Sequence, residues 1–153
     1  MILSGQSIEN FDIMHPCWPR SKRNGMTYGV GAASYDVTVE FDEHGEIPQW
    51  TLEPGDFFLA STTERFTMPK NILGVAHDKS TWVRRGLTVQ NTVIDPGWCG
   101  HLTLEISNHG KERLVIKLGD PIAQIVFHLL DMPSLYAYDG KYQNQERGPV
   151  FPR

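Results

Sequence analysis

The sequence predicts an all-β protein, and three observations carry that expectation. The 153-residue chain holds 14 glycines and 10 prolines, a punctuation that suits many short strands and tight turns better than a few long helices. Several segments alternate apolar and polar residues with the period of two that half-buries a strand. Turn-forming runs bound them, among them Pro54-Gly55, Asp95-Pro96-Gly97 and Gly119-Asp120-Pro121.

Taken in order, residues 4–11 suit one short helix. Residues 15–31, rich in Pro, Gly, Trp and charge, read as a long irregular loop. Strands are expected at 37–41, 57–61, 87–94, 101–107, 113–118 and 122–130. The polar tail after Met132 is expected to lie over the surface. No internal repeat or low-complexity run interrupts this order, so residues 1–153 are expected to form a single domain with a tail over about 132–153.

Composition narrows the function. At 40% hydrophobic the chain can bury a core. A net charge of −4 argues against a general nucleic-acid binder, while a local cluster of Lys and Arg could still meet an anionic small molecule. Cys17 and Cys99 are too far apart in sequence to suggest a disulfide framework. The N-terminus lacks the basic start and apolar run of a signal peptide, and no stretch is long enough to span a bilayer. A cytoplasmic protein, or one of the host cytoplasm if viral, without membrane or nucleic-acid partners is expected.

Two segments bear chemistry. In residues 101–107, Leu102, Leu104 and Ile106 fall on one face of a strand, and His101, Thr103, Glu105 and Ser107 on the other. Glu105 thus stands mid-strand: a solvated carboxylate, or, if other groups converge on it, a reactive one. In residues 79–86, Lys-Ser-Thr-Trp-Val-Arg-Arg-Gly reads as one helical turn, with Ser80 as N-cap and Gly86 as the stop. The i, i+4 spacing puts Ser80 and Arg84 on one face. A helix N-terminus beside Lys79 suits an anion, and a plain basic surface helix is the other reading. The zinc-deaminase signatures H-x-E and P-C-x-x-C are absent, so a catalytic zinc is not expected. Trp18, Trp50, Trp82 and Trp98 are read mostly as packing residues.

These segments together resemble the dCTP deaminase family, within the superfamily that also holds the dUTPases. Asp78 to Leu87 is similar to its phosphate-and-water motif. Ile94 to Asn108, with Ile94-Asp95-Pro96-Gly97-Trp98-Cys99-Gly100, is similar to its central signature. Lys141 to Pro149 resembles its closing segment with one extra residue near Glu146, and Gly31 to Val37 its N-terminal strand motif. The likeness runs from about Gly31 to the C-terminus.

The resemblance implies a distorted jelly roll of the dUTPase-like β-clip kind with one or two short helices. It implies a homotrimer with sites between subunits, the tail closing over a deoxycytidine or deoxyuridine triphosphate. By the same resemblance Glu105 is the general acid/base of a hydrolytic, zinc-independent deamination of dCTP to dUTP and ammonia. Ser80 and Arg84 hold the water, with the backbone near Asn91 adding a contact. Asp95 takes the deoxyribose 3′-OH, Thr103 and Leu104 flank the base through their backbone, and Gln124 reads the pyrimidine edge. Lys79, the donors around Ser80 and Thr81, Lys141, Gln145 and one of Tyr136 and Tyr138 meet the triphosphate. Mg²⁺ rides on the phosphates.

The chain departs from the family pattern at Thr92, where a His or a Gly is usual, and it is shorter both before Gly31 and between Glu40 and Gln49. A dUTP pyrophosphatase, in which Asp95 would orient a water toward the α-phosphorus, is the alternative, together with a bifunctional enzyme. The missing R-G-x-x-G-F-G tail argues against the pyrophosphatase. A non-catalytic regulatory trimer is opposed by the intact Ser80, Arg84 and Glu105.

Overall fold

The computed structural model describes residues 1–90 and 92–153. Asn91, expected to contact the attacking water, lies outside them. Helix α1 (Gly5–Asn10), capped by the Ser4 hydroxyl, opens the chain. Strands β1 (Met14–His15), β2 (Ser21–Arg23), β3 (Met26–Val30), β4 (Tyr35–Glu40), β5 (Gln49–Leu52), β6 (Phe57–Thr67) and β7 (Ile72–Asp78) follow. Helix α2 (Ser80–Val83) leads to β8 (Leu87–Val89), β9 (Val93–Ile94), β10 (Cys99–Asn108), β11 (Leu114–Lys117) and β12 (Pro121–Leu129).

Ten strands make one curled antiparallel sheet. Its path is β8-β10-β6-β4-β12-β7-β9, with β1 on β6 and the β2–β3 hairpin on β4, while β11 and β5 form a separate pair. This is the all-β, distorted jelly-roll architecture that the sequence suggests. β4 sits at its centre and is buried on both faces. Tyr35, Val37 and Val39 point into the apolar core at 0% exposure, each aliphatic side chain contributing about 1.5–3 kcal/mol by burial. The other face carries Asp36, Thr38 and Glu40, which are also buried. Each therefore needs a polar partner, and each finds one on a different element: Lys79, Glu64 and Arg147.

Three expectations change. The irregular loop expected over residues 15–31 holds only for residues 16–20, and residues 21–30 form a hairpin. Asn24 (φ 50) and Gly25 (φ 77) take the left-handed pair of a tight hairpin turn between β2 and β3, and Asn24 donates to the Asp120 carboxylate at 2.7 Å. The Asn-Gly pair was visible in the sequence, but the flanking Lys, Arg and Ser hid the strand pattern. The expected strand at 87–94 is two strands, because β8 pairs with β10 while β9 pairs with β7. Ser80 is not the N-cap of α2. Lys79 holds that position with extended backbone and no capping side chain, and Ser80 is the first helical residue. Gly86 (φ 93) does end the turn, and a Cβ there would meet Gly110 Cα at 2.3 Å. β7 in the large sheet and β5 in the separate pair lie in stretches that the alternation did not single out.

Candidate functional site

β10 carries the site. Leu104 and Ile106 are buried in the core at 1% and 0% exposure, while Thr103 and Glu105 face the opposite side, as the period of two requires. That side is only partly open to solvent. It is the wall of a cavity of about 640 Å³, large enough for a nucleoside. Asp95, Trp98, Tyr138 and Gln145 also line it, with Phe57 and Leu59 of β6 beneath. The ladder between β10 and β6 slips between His101 and Thr103, a bulge of the kind that re-aims side chains beside sites.

Glu105 is half-buried, and loss of hydration pushes its carboxyl up from the usual carboxylate range. Its carbonyl is held by the Gln90 amide at 2.9 Å, yet carboxylate oxygen Oε2 is buried with no hydrogen-bond partner among the described residues. Thr92, which replaces the family's usual His or Gly, shares this condition: its hydroxyl is buried, has no partner among the described residues and lies on the same cavity wall. Two buried oxygens without a partner among the described residues, on the wall of one cavity, mark where a polar ligand belongs. Asp95 opens a tight turn at the cavity. Its carbonyl accepts from the Trp98 amide at 3.1 Å to make the turn, and its side chain faces the cavity.

The tail builds the cavity's outer wall. The Asn144 amide donates to the Cys99 carbonyl (2.9 Å) and His101 to Gln145 (3.1 Å), so the tail lies along β10. Gly100, at φ 141, permits this approach, since a Cβ there would sit 2.6 Å from the Gln145 nitrogen. The Thr103 hydroxyl donates to the Gln145 side chain at 3.2 Å and accepts from the Val150 amide at 3.0 Å. The Trp98 indole donates to the Tyr142 carbonyl at 2.7 Å, which makes Trp98 a tie between turn and tail. Of the two candidate tyrosines, Tyr138 lines the cavity and Tyr136 is 92% exposed. Tyr142, Val150 and Phe151 also line it. The sequence reading missed these three, and the tyrosine inside Lys141-Tyr142-Gln143-Asn144-Gln145 was the available signal.

The remaining expected residues stand elsewhere. Ser80 and Thr81 on α2 and Arg84 at its C-cap are exposed and outside this cavity, with the Arg84 amide reaching the Ser80 carbonyl at 3.2 Å. Lys79 is turned inward: its ammonium is buried and paired with Asp36 at 2.7 Å. Gln124 lines a smaller cleft with Asp36 and Thr27. Leu104 offers its main chain only, its side chain being in the core. Lys141 is exposed over the Tyr142 ring, 5.1 Å from its centroid. Among the described residues no three His, Cys, Asp or Glu side chains cluster as a metal cage, and no helix is long and apolar enough to cross a membrane.

The fold is that of the dUTPase-like proteins. The chain matches EIAV dUTPase with a TM-score of 0.59 at 20% identity, covering 84% of this chain and 97% of that one. It matches the 2′-deoxycytidine 5′-triphosphate deaminase of Agrobacterium tumefaciens with a TM-score of 0.65 at 19% identity, covering 84% and 47%. Sequence makes the narrower assignment. The dCTP deaminase-like family profile matches residues 20–130. The dCTP deaminase of Campylobacter fetus is 34% identical over 97% of this chain and 92% of its own, and that of Wolbachia pipientis 31% identical over 92% and 90%. The chain belongs to the dCTP deaminase-like family.

Proposed function

We propose that this chain deaminates dCTP hydrolytically to dUTP and ammonia, with Glu105 as general acid and base. The observation that carries the reading is the buried, unpartnered Glu105 oxygen facing a nucleoside-sized cavity. Glu105 accepts a proton from water as the water oxygen bonds to cytosine C4. That proton passes to N3 of the ring; the proton of the new C4 hydroxyl is then carried through Glu105 to the amino group, which leaves as ammonia as the C4 carbonyl forms. A carboxyl raised toward neutrality suits both transfers. Asp95 holds the sugar, the Thr103 and Leu104 main chain flanks the base, and Gln145 and Tyr138 close the site from the tail.

Ser80 and Arg84 hold the water and the developing charge. They lie outside the cavity of their own chain, so the reading requires a second copy to present its α2 at the cavity mouth, in a homotrimer. Thr81 and Lys141 meet the phosphates, and Lys79 contributes its amide and charge from behind Asp36. Among the described residues the carboxylates on the cavity wall are Asp95 and Glu105. That suits a magnesium ion carried by phosphate oxygens and water rather than by protein ligands; when bound it neutralises phosphate charge.

The test is product analysis with dCTP, dCMP, dUTP and a 5-substituted dCTP. Formation of dUTP and ammonia from dCTP is expected, with little dUMP from dUTP. Turnover of dUTP to dUMP without deamination of any cytosine nucleotide would replace the reading with the pyrophosphatase.

A further inference from the structure

Glu40 and Arg147 lie outside every role assigned above, and two departures from the family pattern meet at them. One is the shortened stretch that starts at Glu40, and the other is the extra residue beside Glu146. Glu40 ends β4 at 0% exposure. The Arg147 Nε donates to Glu40 Oε2 at 2.8 Å, and its Nη2 lies 2.5 Å from Oε1. Among the described residues Arg147 is the only cation in ion-pair contact with Glu40.

The surroundings are fitted to this pair. The Asp42 carboxylate accepts the amides of His44 (2.7 Å), Glu46 (3.1 Å) and Ile47 (2.7 Å), which folds the short stretch into a tight turn. That turn lays Gly45 against the pair: a Cβ there would sit 3.1 Å from Glu40 Oε1. From the tail side Gly148, at φ 91, rests on the same turn, and a Cβ would lie 2.8 Å from the Glu43 nitrogen. Arg147 stands between the two tail residues that bond Thr103 in the cavity, Gln145 and Val150.

We infer that Glu40 and Arg147 form a latch that positions the C-terminal tail over the cavity and so sets nucleotide affinity, an inference that rests on the nucleotide reading of that cavity. Lifting the tail strands an ionised carboxylate in the interior, which is unfavourable, so the fold itself resists opening. Arg147 is a positioning residue, acting through Gln145 and Val150.

The test uses the full-length chain as Arg147→Ala, Arg147→Lys and the double variant Glu40→Gln with Arg147→Ala. The double variant removes the buried charge along with its partner, so it stays folded if Arg147→Ala does not. Two quantities are read: hydrogen exchange at the Asn144 and Val150 amides without nucleotide, and KM against kcat with dCTP. Exchange and KM should each rise by about tenfold or more in Arg147→Ala and in the double variant, with kcat changed less and Arg147→Lys partly restored. Unchanged exchange at both amides in the double variant would show that the pair does not hold the tail. Faster exchange with parental KM would show that tail position does not set affinity. A parent that binds no nucleotide at all would sink the reading of the cavity, while the exchange data would still judge the latch.

Discussion

Two glutamates on neighbouring strands, Glu64 of β6 and Glu105 of β10, are both pushed up by burial, and they serve opposite ends. Glu64 is at 0% exposure, and desolvation raises its carboxyl to about 7. Donors surround it: the Thr38 amide at 3.1 Å, the Thr38 hydroxyl at 3.0 Å and the Tyr35 hydroxyl at 3.5 Å. Glu105 is less buried, yet one of its oxygens has no partner among the described residues, and it faces a cavity. Burial alone therefore does not make a reactive carboxyl. What separates the two is whether hydrogen-bonding capacity remains unspent and whether a ligand can reach it.

The largest expected effect breaks the comparison at Glu105. Glu105→Gln keeps the shape and removes the proton shuttle, so deamination should fall by about 10²–10⁴-fold with nucleotide affinity nearly unchanged. A variant that binds and deaminates at the parental rate would make Glu105 an ordinary half-buried side chain. The pH profile sharpens the point. Glu105 must be ionised to accept a proton from water, so kcat/KM should fall as pH drops through its raised pKa.

Next comes the completeness of the site. Arg84→Ala should also abolish most activity although Arg84 lies outside the cavity of its own chain. Mixing Arg84→Ala and Glu105→Gln chains, unfolded and refolded together, should recover part of the activity, since some sites would combine an intact Glu105 with a neighbour's intact Arg84. No recovery, or a monomer by light scattering at micromolar concentration, would refute a shared site.

Glu64→Gln should act on stability instead. The folded pKa of about 7 lies above the ordinary value of 4.5, so the fold favours the neutral acid. That contribution is whole below about pH 4.5 and is lost as pH rises through about 7. The melting temperature of the parent should therefore decline relative to Glu64→Gln across that window, while the variant deaminates normally. A constant difference between the two across pH 4.5–7.5 would show that Glu64 does not titrate there. The smallest effect is expected from Thr38→Val, which deletes one hydroxyl donor to Glu64 and should lower stability by about 1–2 kcal/mol, measured by chemical denaturation. An activity loss larger than the stability loss would mean that the Glu64 cluster reaches the site after all.

Much of the site's composition was legible. Alternation in Leu102, Thr103, Leu104, Glu105 and Ile106 assigned Glu105 to the face opposite the core, and the motif likeness named Asp95, Thr103 and Gln145 beside it. It could not choose between Tyr136 and Tyr138, because counting along a tail with an altered length loses register. The structure brings Tyr138 to the cavity through the hydrogen bond its backbone amide donates to the Pro96 carbonyl at 2.8 Å. The Ser80 cap was misread because a cap depends on backbone dihedrals and on where the side chain turns, while the Lys79 ammonium was drawn inward by a carboxylate 43 residues away in sequence.

The sequence by itself determined the all-β class, the order of the main strands, the face on which Glu105 stands and the family to which the chain is similar. These are matters of local periodicity, turn chemistry and motif, each readable within a short window. Only the tertiary structure decided that the polar face of β10 is a cavity wall roofed by the tail, and that Ser80 and Arg84 lie away from it. The same holds for the three polar residues of β4, each of which pairs with a different distant element. Such pairings join residues far apart along the chain. They are selected because a buried charge or hydroxyl must find a partner somewhere in the fold, and no local pattern states where that partner will be.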